Sequence, residues 1–176
     1  LQKGLNYYEG KNGFSKDFDK AMLYFKKASK KGCPRADFYI GNFFKDENGA
    51  KFMKSAADSG DPESQLHYAN YLKKGIGVQK DIKLAMCYYE LAADQGLAEA
   101  QFEYGREKFE NGLTEQEKSD GIFNIIKSVR QNYPDALYYY SKILKDIEPE
   151  RSNEYYQKAM ELKSQLAMKE LENKND

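Results

Sequence analysis

Lys54-Ser-Ala-Ala-Asp-Ser-Gly60 and Glu90-Leu-Ala-Ala-Asp-Gln-Gly96 are two copies of one phrase, 36 residues apart. Lys26-Lys-Ala-Ser-Lys-Lys-Gly32 is a third copy, 28 residues before the first. Each ends in Gly with Ala four residues earlier. Ser128/Asn132 is a degenerate fourth copy, 36 residues after Ala92/Gly96. An Ala-rich stretch closed by Gly, or by Asn, reads as a helix ending in the left-handed conformation. A fixed period of this length is the mark of stacked helical repeats.

Working outward, small residues recur at fixed phases. Ala36, Ser64, Ala100 and Ala136 follow the markers by four residues. Gly41, Ala69, Gly105 and Ser141 come five later, and Ala21, Gly49, Ala85 and Gly121 stand before the markers. Small side chains at repeating positions imply helices in close approach. Rings and aliphatic residues fill the intervals at helical spacing: Phe38, Ile40 and Phe44; Leu66, Tyr68 and Leu72; Phe102, Tyr104 and Phe109; Tyr138, Tyr140 and Leu144. The pattern predicts antiparallel pairs. Helix A spans 34–45, 62–74, 98–110 and 134–146; helix B spans 17–31, 47–59, 81–95, 115–131 and 150–171. Pro34, Pro62 and Pro134 lie in first turns, where a missing N–H is harmless. Asp17 and Asp81 read as N-caps, and Thr114-x-x-Glu117 as a capping box. Gly10, Gly13, Gly75 and Gly77 supply loop geometry. Asp46-Glu-Asn-Gly49 reads as a tight turn, and the short link there accounts for the 28-residue spacing.

Gly75-Ile-Gly-Val78, Asp81-Ile-Lys-Leu-Ala85, Tyr88-Tyr89 and Ala92-Ala93-Asp-Gln-Gly96, followed by Ala100, Tyr104 and Gly105, resemble the Sel-1-like repeat, a relative of the tetratricopeptide repeat. The resemblance runs over about residues 4–162. It implies an all-α fold, a right-handed superhelical solenoid of antiparallel helix pairs with no sheet. It also implies a scaffold or adaptor that binds protein or peptide partners and is no enzyme. The expected organisation is one repeat domain over 1–176. Its units are 1–32 (lacking the start of its first helix), 33–60, 61–96, 97–132 and 133–162, with 150–171 a capping helix and 172–176 frayed. The family subgroup with disulfides inside each repeat carries cysteine pairs at short spacing, which this chain lacks.

Composition agrees with that reading. The 176 residues hold 28 basic and 28 acidic side chains, no Trp, 15 Tyr and 10 Phe. Zero net charge disfavours a uniformly basic nucleic-acid surface. Residues 1–88 nevertheless carry 16 basic against 10 acidic groups, and the remainder the reverse imbalance. No apolar run approaches the ~20 residues that span a bilayer. Cys33 and Cys87 form no disulfide framework, which favours a reducing, cytoplasmic setting. No secretory signal is visible, and a start at Leu1 is compatible with a leader already removed. Cys87 is expected to be buried within its helix and Cys33 to be the more reactive thiol.

No constellation for catalysis, cofactor or metal emerges. His67 is the one histidine and has no ligand partners nearby in sequence. Gly75-x-Gly77 has no preceding strand and no following Gly-Lys-Ser/Thr, so it is no phosphate loop. The tyrosine pairs read as core rings with a snorkelling hydroxyl rather than as base-stacking platforms. Binding positions are instead expected one before, and two, six and nine after, the first small residue of helix A. These are Arg35, Phe38, Asn42 and Lys45; Glu63, Leu66, Asn70 and Lys73; Glu99, Phe102, Arg106 and Phe109; and Asp135, Tyr138, Lys142 and Lys145. Asn42, Lys45, Asn70, Lys73, Arg106 and Lys142 are the candidate peptide contacts on a concave helix-A face. The plain alternative is that they are ordinary solvated positions. A regulatory segment of a larger enzyme, such as a kinase, is the second functional reading. A nucleic-acid-binding repeat is the third, opposed by Glu63, Glu99 and Asp135 on the same face.

Overall fold

The structure is a computed structural model that describes residues 1–175, with side chains described through Asn173. Among these residues there are eleven helices and no strand, and 76% of the chain is helical. In chain order they are α1 (Gln2–Glu9), α2 (Phe18–Ser29), α3 (Pro34–Phe43), α4 (Glu47–Asp58), α5 (Pro62–Lys74), α6 (Ile82–Asp94), α7 (Ala98–Asn111), α8 (Glu115–Arg130), α9 (Pro134–Leu144), α10 (Pro149–Glu161) and α11 (Gln165–Asn175). The fold divides into two compact units, Leu1–Ala92 and the residues from Ala93 onward.

Local chemistry sets the helix ends. The Asp17 carboxylate accepts from the Lys20 backbone N–H and Asp81 from that of Leu84, both at 2.9 Å. Thr114 and Glu117 form the reciprocal capping box. Asp46, expected in a turn, is an N-cap as well, accepting from the Gly49 N–H at 2.9 Å. Gly32, Gly60, Gly96 and Asn132 all have positive φ, as their place after the Ala-rich phrase predicts. The carbonyl of the marker residue then accepts from the N–H five residues on: Ala28 from Cys33 and Ser128 from Tyr133, each at 3.2 Å.

A fifth marker escaped the sequence reading. Lys163 has φ 58°, and the Ala159 carbonyl accepts from the Ser164 N–H at 2.9 Å. This is the same helix-ending geometry with lysine in the glycine position. It breaks the expected continuous helix 150–171 into α10 and α11. Ser164 then caps α11, and its hydroxyl donates to Asp135 at 2.6 Å. Four residues after Lys163 stands Ala167, fully buried, at the phase of Ala36, Ser64, Ala100 and Ala136. The second half of the expected cap is therefore a separate helix, α11, with its small residue at the phase of the first helices. α11 continues through Asn175, and Asp176, expected to fray, lies outside the described residues.

Backbones touch at the small residues. In the first unit a Cβ added to Gly41 would lie 2.8 Å from the Met53 nitrogen and 3.0 Å from the Gly49 carbonyl oxygen. In the second, one added to Gly105 would lie 2.6 Å from the Gly121 carbonyl oxygen and 2.9 Å from the Ile125 nitrogen. Around these contacts the second unit buries Phe102, Ile125, Val129, Leu137 and Tyr138, and the first buries Phe25, Ala36 and Ile40. Gly105→Ala gains up to about 1 kcal/mol of helix propensity but forces two backbones apart. It is expected to destabilise the protein by roughly 1–3 kcal/mol, read as a lower urea midpoint at unchanged slope.

Candidate functional site

The structure places the six candidate contacts on or beside the first helix of each pair. In the first unit Asn42 (α3) and Asn70 (α5) are partly exposed, as is Lys73, while Lys45 is exposed just beyond the end of α3. α3 and α5 are locked in register by the buried Tyr71 hydroxyl, which donates to the Gly41 carbonyl at 2.9 Å. Asn70 is oriented from behind, since the fully buried Tyr89 donates its hydroxyl to Asn70 Oδ1 at 2.7 Å. That bond directs the Asn70 amide nitrogen, a donor group, away from Tyr89. In the second unit Arg106 (α7) pairs with Glu103 at 2.7 Å and Lys142 (α9) pairs with Glu170 at 2.7 Å. Burial opposes the Arg106 charge, yet Glu103, Glu110 and Glu107 outweigh it and hold the guanidinium above its ordinary pKa.

The positions two after the small residue are not outward-facing. Phe38 is 7% exposed, Leu66 3%, Phe102 1% and Tyr138 8%. They are core residues and form the base on which the next turn rests. The Arg106 guanidinium lies 5.4 Å from the Phe102 ring centroid, and Lys142 Nζ lies 5.1 Å from that of Tyr138. The ring and the cation are four residues apart, so one helical turn stacks them. In α3 the same phase sets Asn42 one turn beyond Phe38, and in α5 Asn70 one turn beyond Leu66. Each helix thus presents a polar head above an apolar base, amide in the first unit and cationic in the second.

At the N-terminal ends of α3 and α5, about two turns before Asn42 and Asn70, lies a charged cluster. Arg35 contacts Asp61 at 3.3 Å and Glu63 at 2.8 Å, and its guanidinium sits 5.2 Å from the Phe38 ring centroid. His67 packs edge-on against Phe38, centroids 5.1 Å apart. Burial lowers the His67 pKa, and the more distant Glu63 and Asp61 only partly oppose it. Among the described residues no group of three or more His, Cys, Asp or Glu could hold a metal ion. No described helix is long and apolar enough to cross a membrane.

Two further placements differ from expectation. Cys87 is exposed and Cys33 is intermediate, because Cys87 lies on the solvent side of α6, at the edge of an open groove lined also by Ala57, Asp58 and Gln65. A buried polar phase also went unrecognised: Asp37 and Gln101, one residue after the small positions, bond to Ser55 and to the Ala93 carbonyl. Its signal was present, a polar residue directly after each of Ala36, Ser64 and Ala100.

These features define a helical-repeat protein built from antiparallel pairs whose first helices carry polar heads on apolar bases. A Sel1 repeat profile matches residues 4–33, 62–97, 98–145 and 143–164, and the chain belongs to the Sel1 repeat family. The unmatched stretch between 33 and 62 is the pair with the shortened link. There a Cβ on Gly49 would overlap the Phe44 carbonyl. A Sel1 repeat protein from Oxalobacter formigenes is 24% identical, with a TM-score of 0.85 over 97% of this chain and 74% of that one. A protective antigen of uropathogenic Escherichia coli with an SLR fold is 25% identical, with a TM-score of 0.81 over 94% of this chain. The match spans 38% of that antigen's length. An immunity protein from Pseudomonas aeruginosa is 22% identical, with a TM-score of 0.62 over 90% of this chain and 65% of its own. No curated protein matches the chain.

Two outcomes check this geometry. A maleimide applied to the native protein is expected to label Cys87 before Cys33. With one histidine in the chain, a single imidazole titration reports His67, and its midpoint is expected below 6.5. The unfolded chain then binds the extra proton first, so this group's stabilising effect is complete above about pH 6.5 and falls as pH drops towards the folded value. His67→Gln is expected to flatten that part of the stability profile.

Proposed function

We propose that the chain is a non-enzymatic interaction scaffold that holds an extended peptide or protein segment against the first helices of its pairs. The observation that carries this reading is the amide pair Asn42 and Asn70. They occupy one phase of α3 and α5, the two helices are pinned by Tyr71, and Tyr89 directs the Asn70 amide. Side-chain amides so placed can both donate to and accept from a peptide backbone, which suits an extended ligand of varied sequence. Lys73, within α5, and Lys45, just past the end of α3, lie three residues further along the chain and supply charge for carboxylates. Arg106 and Lys142 give the second unit a cationic version of the same arrangement. Since each is already paired with a carboxylate of its own chain, an acidic ligand there must replace that partner rather than meet a bare cation. The repeat units over 1–32, 33–60, 61–96, 97–132 and 133–162 remain our proposed division. Two free thiols suit a reducing compartment.

A peptide array of acidic and neutral extended sequences identifies a ligand, and its affinity is then compared across variants. Asn42→Ala with Asn70→Ala is expected to weaken binding roughly tenfold, two neutral hydrogen bonds' worth. Glu161→Ala with Lys169→Ala, on α10 and α11, is expected to change it little. The reverse outcome places the ligand on the C-terminal helices and ends this reading. Tight, salt-sensitive retention of single-stranded RNA in a filter assay would favour the nucleic-acid reading instead.

A further inference from the structure

The second helices of the pairs share one fold, so their outer faces can be compared phase by phase. At one before, two after and six after the small residue, α4 carries Asn48, Lys51 and Ser55, and α2 carries Lys20, Leu23 and Lys27. At those phases α6 carries Leu84, Cys87 and Leu91. Leu84 is 38% exposed, Leu91 50%, and Cys87 is exposed between them. The three lie at i, i+3 and i+7, one stripe along a helix. The same helical role is filled by polar groups in α4, so the fold itself does not require the stripe to be apolar.

Charge is arranged along this stripe in a self-complementary way. Lys83 and Glu90, both exposed, lie on the side of Cys87 opposite to Leu84 and Leu91. Lys83 precedes Cys87 by four residues and Glu90 follows it by three. Leu84 precedes it by three and Leu91 follows it by four. Two such helices laid antiparallel about a two-fold axis at Cys87 bring Lys83 of one copy to Glu90 of the other. The same operation brings Leu84 to Leu91. All four matches occur at once, as an isologous contact requires.

We propose that the outer face of α6 is a self-association surface, pairing antiparallel with α6 of a second copy with the two Cys87 side chains facing each other at the dyad. It uses a second helix and none of the residues proposed above as peptide contacts, so it is independent of them. A contact of one helix pair is at the small end of specific interfaces, so the dissociation constant is expected on the order of 10 μM.

The test uses the full chain with Cys33→Ser, leaving Cys87 as the one thiol. Sedimentation is followed from about 1 to 200 μM, a range bracketing the expected constant, and a short bismaleimide is added in parallel. The expected result is a monomer–dimer equilibrium with a covalent dimer through Cys87 whose yield tracks the dimer fraction. Lys83→Glu sets like charges together twice in the dimer and is expected to weaken it about fivefold to tenfold. Glu90→Lys is expected to do the same, and the two together to restore it. Both substitutions suit the helix dipole, so folding is preserved and is checked by circular dichroism. A chain that is monomeric across the range overturns the proposal. So does a dimer that forms no Cys87 link, or one that neither single charge reversal weakens.

Discussion

The structure depends on the contact of two backbones at residues with almost no side chain. At Gly41 against Gly49 and Met53, and at Gly105 against Gly121 and Ile125, there is no room for a methyl group. Such an approach fixes both the spacing and the rotation of one helix on the other, because only one phase of each brings small residue to small residue. The rings beside the contact then fall inward: Phe102, Ile125 and Val129 in the second unit, Phe25 and Ile40 in the first. The outward positions follow from the same phase. Asn42 and Asn70 in the first unit, and Arg106 and Lys142 in the second, hold the same place in their helices, each one residue after a small residue.

Much of this is written locally in the sequence. Caps at Asp17, Asp81 and Thr114, and left-handed ends at Gly32, Gly60, Gly96 and Asn132, depend on residues within one turn, so they read directly. The break at Lys163 depends on the same geometry, but lysine has no intrinsic preference for positive φ. Only the downstream pattern, Ser164 as a cap and Ala167 at the small phase, marks it. Here tertiary contacts, including the Ser164 bond to Asp135, override local preference.

The candidate surface was legible in phase but not in width. Phe38, Leu66, Phe102 and Tyr138 were placed on the exposed arc and are buried, because a first helix in a stacked array is flanked by neighbours on more than one side. Its solvent arc is narrower than that of an ordinary amphipathic helix. What remains exposed is the next turn, whose polar head lies over the buried ring. The second helices err in the opposite direction. Cys87 reads as buried because it replaces a small residue within a helix, yet the outer row of α6 faces water. The ion pairs of Arg106 and Lys142 lie beyond any sequence pattern at the level of geometry, although Glu103 and Glu110 share a helix with Arg106.

The link between helix phase and function rests on Asn42 and Asn70 facing a ligand together. Their side-chain amide protons give individual resonances, and these can be followed while an extended peptide selected on the array is added. The account predicts that both amides shift together and become protected from exchange with water at the same peptide concentration. Shifts confined to α2, α4, α6 or α10, with both amides unmoved at saturation, would contradict it.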